Sequence, residues 1–167
     1  MNVDFATQIG EAFVGEGTDA AHINTVLGAR GGPVEAAWVT ALATPRLGHA
    51  PFVAVLQPGL AVRPFTLFVN KADIRGDGHA RLTWGPAQAG VAAGVIDAVR
   101  TGVVPADLAA DLLLITAVWV DWAASGPDSV FVNNRAATAQ ALAGGASGRP
   151  AVAELIAAGE PWNPFYP

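Results

Sequence analysis

The chain has 167 residues, of which 52% are hydrophobic and 14% charged, with a formal net charge of −5 and no cysteine. The absence of cysteine excludes disulfides, thiolate metal sites and cysteine nucleophiles. The negative charge argues against nucleic acid as a partner, because nucleic-acid binders usually carry a basic stripe. No apolar run approaches the about 20 residues of a membrane-spanning helix.

The low content of charged residues is the most unusual property of this composition, because about a quarter of an ordinary domain is charged. Residues 1–15 contain Asp4 and Glu11 and lack the basic start and the apolar stretch of a signal peptide. We therefore expect a single cytoplasmic domain over residues 1–167. Self-association would cover part of its apolar surface.

The N-terminal part of the chain predicts a pair of strands. Residues 3–14 and 19–28 are separated by Gly15-Glu16-Gly17, which suits a tight connection. The second strand alternates with period two, which sends side chains to two faces of a sheet in turn. One face then carries His22, Asn24 and Val26, and the other carries Ala21, Ile23, Thr25 and Leu27.

The remaining elements are helices and strands that do not alternate strictly. Helical spacing of apolar residues and proline at helix starts predict helices from Pro33 to about Ala43 and over 85–101, 130–143 and 152–158, with a helical turn from Pro105. Short apolar runs predict strands at 52–57, 66–74 and 112–122, and a short strand at 79–84 after a turn at 76–78. The tail 161–167, with three prolines, is predicted to be irregular.

This order of elements favours an α/β sandwich of the α+β class, in which a mixed sheet carries helices mainly on one face. Gly90 and Gly94 weaken the helix over 85–101, since glycine is a poor helix former. We expect close packing of the chain at these two positions.

Three histidines are the candidates for acid–base chemistry. His49 and His79 stand beside glycine turns, and both are expected at the surface. His22 lies within a predicted strand and is either a hydrogen-bonded structural residue or a proton donor. A histidine suits a donor at neutral pH because its ordinary pKa lies near that pH.

Lys71 and Gln88 are further candidates for a binding site. Lys71 follows an apolar run and is either a solvated strand-end residue, a cation for a ligand carbonyl or a Schiff-base amine. Gln88 lies in the first turn of a predicted helix, next to free backbone N–H groups. Six of the nine cationic residues fall between residues 30 and 81. They are either solvated surface or a site for an anionic ligand tail. We expect no metal site.

Six short motifs occur in one order and at one spacing. They are Gly10-Glu-Ala-Phe-Val-Gly-Glu-Gly17, Ala21-His-Ile-Asn24, Gly28-Ala-Arg-Gly-Gly-Pro33, Leu67-Phe-Val-Asn-Lys71, Gly85-Pro-Ala-Gln88 and Val104-Pro-Ala-Asp107. Together they resemble the formaldehyde-activating enzyme family over about residues 8–125. The resemblance implies a fold like the second domain of ribosomal protein S5. It also implies a homopentamer with pterin sites between neighbouring subunits.

The activity implied by the resemblance is the condensation of formaldehyde with tetrahydromethanopterin to the methylene derivative and water, without a metal. His22 matches the proton donor of the family, and Lys71 and Gln88 match pterin-contacting positions. The other site positions differ from the family: Val53, Asn24 and Asp73 stand where leucine, aspartate and threonine are typical.

The two polar departures suggest a hypothesis about charge: the carboxylate lost at Asn24 has moved to Asp73, which would then approach the same pocket. Two other functions stay open. One is a non-catalytic relative that binds a pterin or formaldehyde for sensing or delivery, and the other is a structural oligomer without a ligand.

Overall fold

The computed structural model describes residues 4–163 and contains a five-stranded sheet in the order β1-β2-β7-β6-β3. Its strands are β1 (Gln8–Val14), β2 (Ala21–Ala29), β3 (Phe52–Val53), β6 (Phe65–Asn70) and β7 (Leu112–Trp119). A separate hairpin is formed by β4 (Val55–Gln57) and β5 (Leu60–Ala61). Neighbouring strands of the sheet are antiparallel except β6 and β7, which are parallel. The prediction of a mixed sheet in the α+β class is confirmed.

One face of the sheet is covered by two long helices, α3 (Gln88–Arg100) and α4 (Pro127–Ser147). The core lies between this face and the helices. Side chains buried in it include Ile23, Leu27, Phe68, Val91, Val95, Leu114, Val118 and Val130. The period-two pattern predicted for β2 is confirmed, since the four residues assigned to one face are all buried and His22, Asn24 and Val26 are partly exposed.

A shorter helix, α1 (Pro33–Ala43), lies on the opposite face of the sheet. A Cβ atom added at Gly28 would point to the face that carries Asn24 and Val26, and it would meet Cγ2 of Val34 at 2.5 Å. Val34 at the start of α1 is therefore packed directly on the backbone of β2. The helices lie mainly on one face, as predicted, and residues 4–163 leave the rest of this second face, the open face, partly exposed around His22.

The segment between β6 and α3 differs from the prediction. Residues expected as a turn and a strand form α2 (Gly76–Leu82), followed by a wider π-helical turn over Thr83–Ala87 that leads directly into α3. A buried histidine stabilises this arrangement, since His79 accepts a hydrogen bond from the backbone N–H of Arg75 and donates one to the carbonyl of Val120. The prediction of His79 at the surface was wrong, because these two hydrogen bonds hold its ring in the interior.

Other boundaries moved by a few residues. Strand β1 begins at Gln8, and Val3 lies outside the described residues. Strand β7 ends at Trp119, and the predicted strand 66–74 ends at Asn70. Helix α4 begins at Pro127 and ends at Ser147, and the left-handed φ of 63° at the next residue, Gly148, closes it. The last helix, α5 (Val152–Ala158), has the predicted bounds, and residues 164–167 of the tail lie outside the described part.

Within residues 4–163, no helix is both long enough and apolar enough to cross a membrane.

Candidate active site

The open face of the sheet brings together three of the residues expected to form a site. His22 and Asn24 point to it from β2, and Lys71 reaches it from the end of β6, two residues beyond Val69 on the same face. The ammonium of Lys71 donates a hydrogen bond to Oδ1 of Asn24. The contact is between residues 47 positions apart, so it depends on the β2-β7-β6 order of the sheet.

A fourth polar residue in this cluster was not predicted as a site residue. Glu11 on β1 lies opposite Asn24 in the strand register, and its Oε1 atom is 3.0 Å from Nε2 of His22. The two side chains are diagonal neighbours across an antiparallel pair, a separation that long side chains can bridge. The signal in the sequence was the alternation of β1, but the pairing of β1 with β2 was needed to bring Glu11 next to His22.

Aromatic rings surround the imidazole. Phe13 lies opposite His22 on β1, with ring centroids 6.2 Å apart, and Trp119 lies opposite it on β7. Trp119 in turn packs edge-to-face against Trp122 at 5.6 Å. These half-exposed rings give the site an apolar wall suited to a flat heterocycle, and sequence reasoning did not assign them.

The electrostatics of the cluster act on His22 in opposite directions. Burial lowers the pKa of His22 below its ordinary value, the Lys71 ammonium lowers it further, and the Glu11 carboxylate raises it. Burial also lowers the pKa of Lys71, against an opposing effect of Glu11. Burial and the Lys71 ammonium therefore both favour the neutral imidazole, and Glu11 is the group that favours its charged form.

Asp73 makes its side-chain and backbone contacts with Arg75 and Trp122. Its carboxylate accepts a hydrogen bond from Nε of Arg75 at 3.4 Å, and its backbone carbonyl accepts one from Nε1 of Trp122. The Arg75 guanidinium stacks on the Trp122 ring, 3.6 Å from its centroid. The carboxylate beside His22 is therefore that of Glu11, and these contacts do not support the hypothesis that Asp73 replaces an anion lost at Asn24.

Val53 and Gln88 lie near the edge of the sheet that is opposite to β1. Val53 belongs to the edge strand β3 and pairs with Leu67. Gln88 is buried at the start of α3, where its amide oxygen accepts a hydrogen bond from the backbone N–H of Val55 at 2.8 Å. In one chain, these two predicted contact residues are separated from His22 by strands β7 and β6.

Two further expectations concern the position of His49 and the presence of a metal site. His49, expected at the surface, is half-buried and its Nδ1 atom is 2.8 Å from the backbone carbonyl of Asn70. In the part of the chain between residues 4 and 163, no group of three or more histidine, aspartate or glutamate side chains is arranged to hold a metal ion.

The arrangement combines an acid–base group, a cation and hydrogen-bond acceptors along an apolar wall. His22 is accessible, with 38% of its side chain exposed, and Glu11 is more so. An exposed imidazole that contacts a carboxylate can exchange protons with a bound molecule. The lysine and the asparagine can bind polar edges of a flat ligand that stacks near the aromatic rings.

Residues 9–163 match the family described as formaldehyde-activating enzyme (Fae). The chain is 46% identical over 151 residues to the 5,6,7,8-tetrahydromethanopterin hydro-lyase of Methanosarcina barkeri, which covers 90% of this chain and 85% of the relative. It is 42% identical over 135 residues to the bifunctional enzyme Fae/Hps of Methanocella arvoryzae and 33% identical over 172 residues to that of Methanosphaera stadtmanae.

The coverage differs between these relatives. The matches to the two bifunctional enzymes include 81% and 95% of this chain but span only 34% and 42% of the relatives' own length. The match to the hydro-lyase spans most of both proteins. With the family matched over nearly the whole sequence, this chain belongs to the formaldehyde-activating enzyme family.

Proposed function

We propose that this chain is a lyase that condenses formaldehyde with tetrahydromethanopterin to methylene-tetrahydromethanopterin and water, with His22 as the general acid. The observation that carries the proposal is the cluster of His22, Glu11, Asn24 and Lys71 on the open face of the sheet in a member of this family. The relative from Methanosarcina barkeri is named for the same pterin. The cytoplasmic location expected from the sequence is part of the proposal.

The proposed reaction requires that one proton be delivered to the hydroxyl oxygen of the intermediate. An amine of the reduced pterin adds to formaldehyde and gives a hydroxymethyl amine, whose hydroxyl leaves as water once it is protonated. The C–O bond breaks and the nitrogen lone pair forms an iminium ion, which the second pterin nitrogen attacks with loss of its proton. His22 supplies the first proton and accepts the last, so the ring returns to its starting state. General acid–base catalysis of this kind contributes about 10²–10⁴-fold.

Lys71, Asn24, Val53, Asp73 and Gln88 are the proposed pterin-binding residues. Lys71 is the cation that would bind an acceptor on the ring, and its partner Asn24 keeps an amide at the same edge. Holding the two pterin nitrogens near one carbon removes an entropic cost of ring closure.

The proposed site is shared between neighbouring copies of the chain in a homopentamer. Val53 lies three strand spacings from His22 across the sheet and four residues further along, which amounts to roughly 20 Å and exceeds the width of a pterin ring system. The surface of α1 supports self-association, because Val39 and Leu42 are exposed on a helix with few polar residues.

The test is the rate of methylene-tetrahydromethanopterin formation from formaldehyde, measured against the uncatalysed reaction. We expect the wild-type protein to exceed the background and His22→Ala to lose about 10²-fold or more of that excess. Gln140→Ala, at an exposed position of α4, is the matched control and should keep the wild-type rate.

The substitutions at Asn24 and Asp73 favour a second candidate, a relative that binds the pterin without catalysis. A wild-type rate equal to the background would exclude the enzyme. Pterin binding measured on the same samples would then separate this binding protein from a structural oligomer.

A further inference from the structure

The contact between Glu11 and His22 determines the tautomer of the imidazole, that is, which ring nitrogen is protonated when the ring is neutral. An ionised carboxylate only accepts hydrogen bonds, so in the 3.0 Å ion pair of Oε1 of Glu11 with Nε2 of His22 the proton belongs to the imidazole. In the neutral ring, Nδ1 then holds a lone pair, and in the charged ring it holds the second hydrogen. Among residues 4–163, Nδ1 of His22 has no hydrogen-bond partner, whereas Nε2 is occupied.

The charged groups that face the ring come from two elements. Glu11 faces it from β1, and Lys71 faces it from the end of β6, while β1 and β7 otherwise present Phe13 and Trp119. Burial and Lys71 both oppose a positive charge on the ring, and Glu11 is the group that favours it. Without Glu11 the ring would keep a cation as its charged neighbour.

We propose that Glu11 is a positioning residue for the proposed acid: its carboxylate holds the Nε2–H of His22, so that the proton given to the leaving hydroxyl comes from Nδ1. This inference rests on the function proposed above. The proton moves from Nδ1 to the hydroxyl oxygen, water leaves, and Nδ1 later accepts the proton released by the second pterin nitrogen. Glu11 stays ionised throughout and keeps the ring in one orientation, as a carboxylate does for histidine in other acid–base sites.

The sequence context supports this role over that of an ordinary surface charge. Glu11 lies on an edge strand, between Gly10 and the buried Ala12, and its side chain points to the same face as Phe13 and Ile9. Both neighbours on this face are exposed and apolar, with Ile9 at 70% and Phe13 at 42% exposure. The carboxylate is therefore a single polar group in an apolar row, and it contacts the one histidine that reaches this face from β2.

The first experiment is NMR spectroscopy of the protein with ¹⁵N-labelled histidine, which reports the tautomer and the titration of each ring without any substrate. The His22 signals are assigned by their loss in His22→Ala. We expect the Nε2–H tautomer for His22 in the wild type. In Glu11→Gln the pKa of His22 should fall, because the amide can still accept the hydrogen bond but carries no charge. Glu16→Gln, at an exposed position after β1, is the matched control and should leave His22 unchanged.

The second experiment is the pH profile of kcat/KM for the same variants. The limb on which activity falls with rising pH should move to lower pH in Glu11→Gln. Glu11→Ala should lower kcat about tenfold or more, a part of the about 10²–10⁴-fold that general acid–base catalysis contributes, with a smaller change in KM for the pterin. An Nδ1–H tautomer in the wild type, or a His22 titration that is the same in Glu11→Ala, would overturn the proposal.

The two proposals fail in different ways. A wild-type rate at the background would exclude the enzyme, while the NMR titration would still decide whether Glu11 holds the ring. An active enzyme whose His22 ignores the loss of Glu11 would keep the proposed function and exclude the positioning role. Thermal unfolding of each variant excludes loss of fold as the cause.

Discussion

Asn24 lies between two charges of opposite sign on the open face of the sheet. Its side chain accepts a hydrogen bond from Lys71, and Glu11 is its partner across the strand pair. Burial lowers the pKa of His22, and the charges of Lys71 and Glu11 shift that pKa in opposite directions. Substitutions at the two charged positions should therefore move the pKa of His22 in opposite directions.

Replacement of the cation by a neutral side chain of similar length, Lys71→Met, should raise the pKa of His22. The physical reason is the loss of a positive charge that opposes protonation of the ring. Because the acid form of His22 is the active one in the proposed reaction, the limb of kcat/KM that falls with rising pH should move to higher pH. KM for the pterin should increase at the same time, since Lys71 is a proposed binding residue.

The control for this change is Arg81→Met, which removes the same charge from an exposed position of α2. It should move neither the pH profile nor KM, so that an effect of net charge is separated from a local one. A limb that stays in place, or moves to lower pH, in Lys71→Met would contradict the assigned electrostatics.

At the scale of elements, α3 and α4 approach each other closely at Gly90 and Gly94 of α3. A Cβ at Gly94 would lie 2.5 Å from the carbonyl oxygen of Arg135 and 2.7 Å from Cβ of Thr138. A methyl group there has to push the two helices apart. We expect Gly94→Ala to lower the free energy of unfolding by about 1–3 kcal/mol, the usual effect of overpacking. Urea denaturation followed by circular dichroism is the measurement.

The matched control is a glycine of the partner helix α4. A Cβ at Gly144 meets no atom within 4 Å, and alanine is the better helix former. Gly144→Ala should therefore raise the free energy of unfolding by about 0.5–1 kcal/mol. Equal effects of the two substitutions would show that helix propensity, rather than the contact between α3 and α4, decides the outcome at Gly94.

The elements with a clear local pattern could be predicted from the sequence. Period two assigned both faces of β2, proline placed the start of α1, and glycine indicated the close contact at Gly94. Helix α2 could not be predicted, because it depends on burial of His79 against the carbonyl of Val120, 41 residues away. The role of Glu11 was missed for a similar reason, since only the register of β1 against β2 brings it to His22.

At the scale of the whole molecule, the proposed site residues fall into two groups. His22, Asn24 and Lys71 form one group on the open face near β1, and Val53 and Gln88 form the other beside the edge strand β3. The two groups of residues therefore lie on separate surfaces of one chain, at opposite edges of the sheet. In the proposed pentamer, a head-to-tail contact that joins the β1 side of one copy to the β3 side of the next would combine both groups in one site.

Mixing two inactive variants tests this division directly. His22→Ala and Gln88→Met should each be inactive alone, the first through loss of the acid and the second through loss of pterin binding. If each site takes His22 from one copy and Gln88 from its neighbour, co-expression of the two variants restores about a quarter of the sites in a ring with heterologous contacts. If both residues of a site belong to one chain, every site in the mixture lacks one of them and no activity returns. The rate of methylene-tetrahydromethanopterin formation decides between these outcomes. Separately purified variants mixed without unfolding are the control for activity that does not depend on assembly.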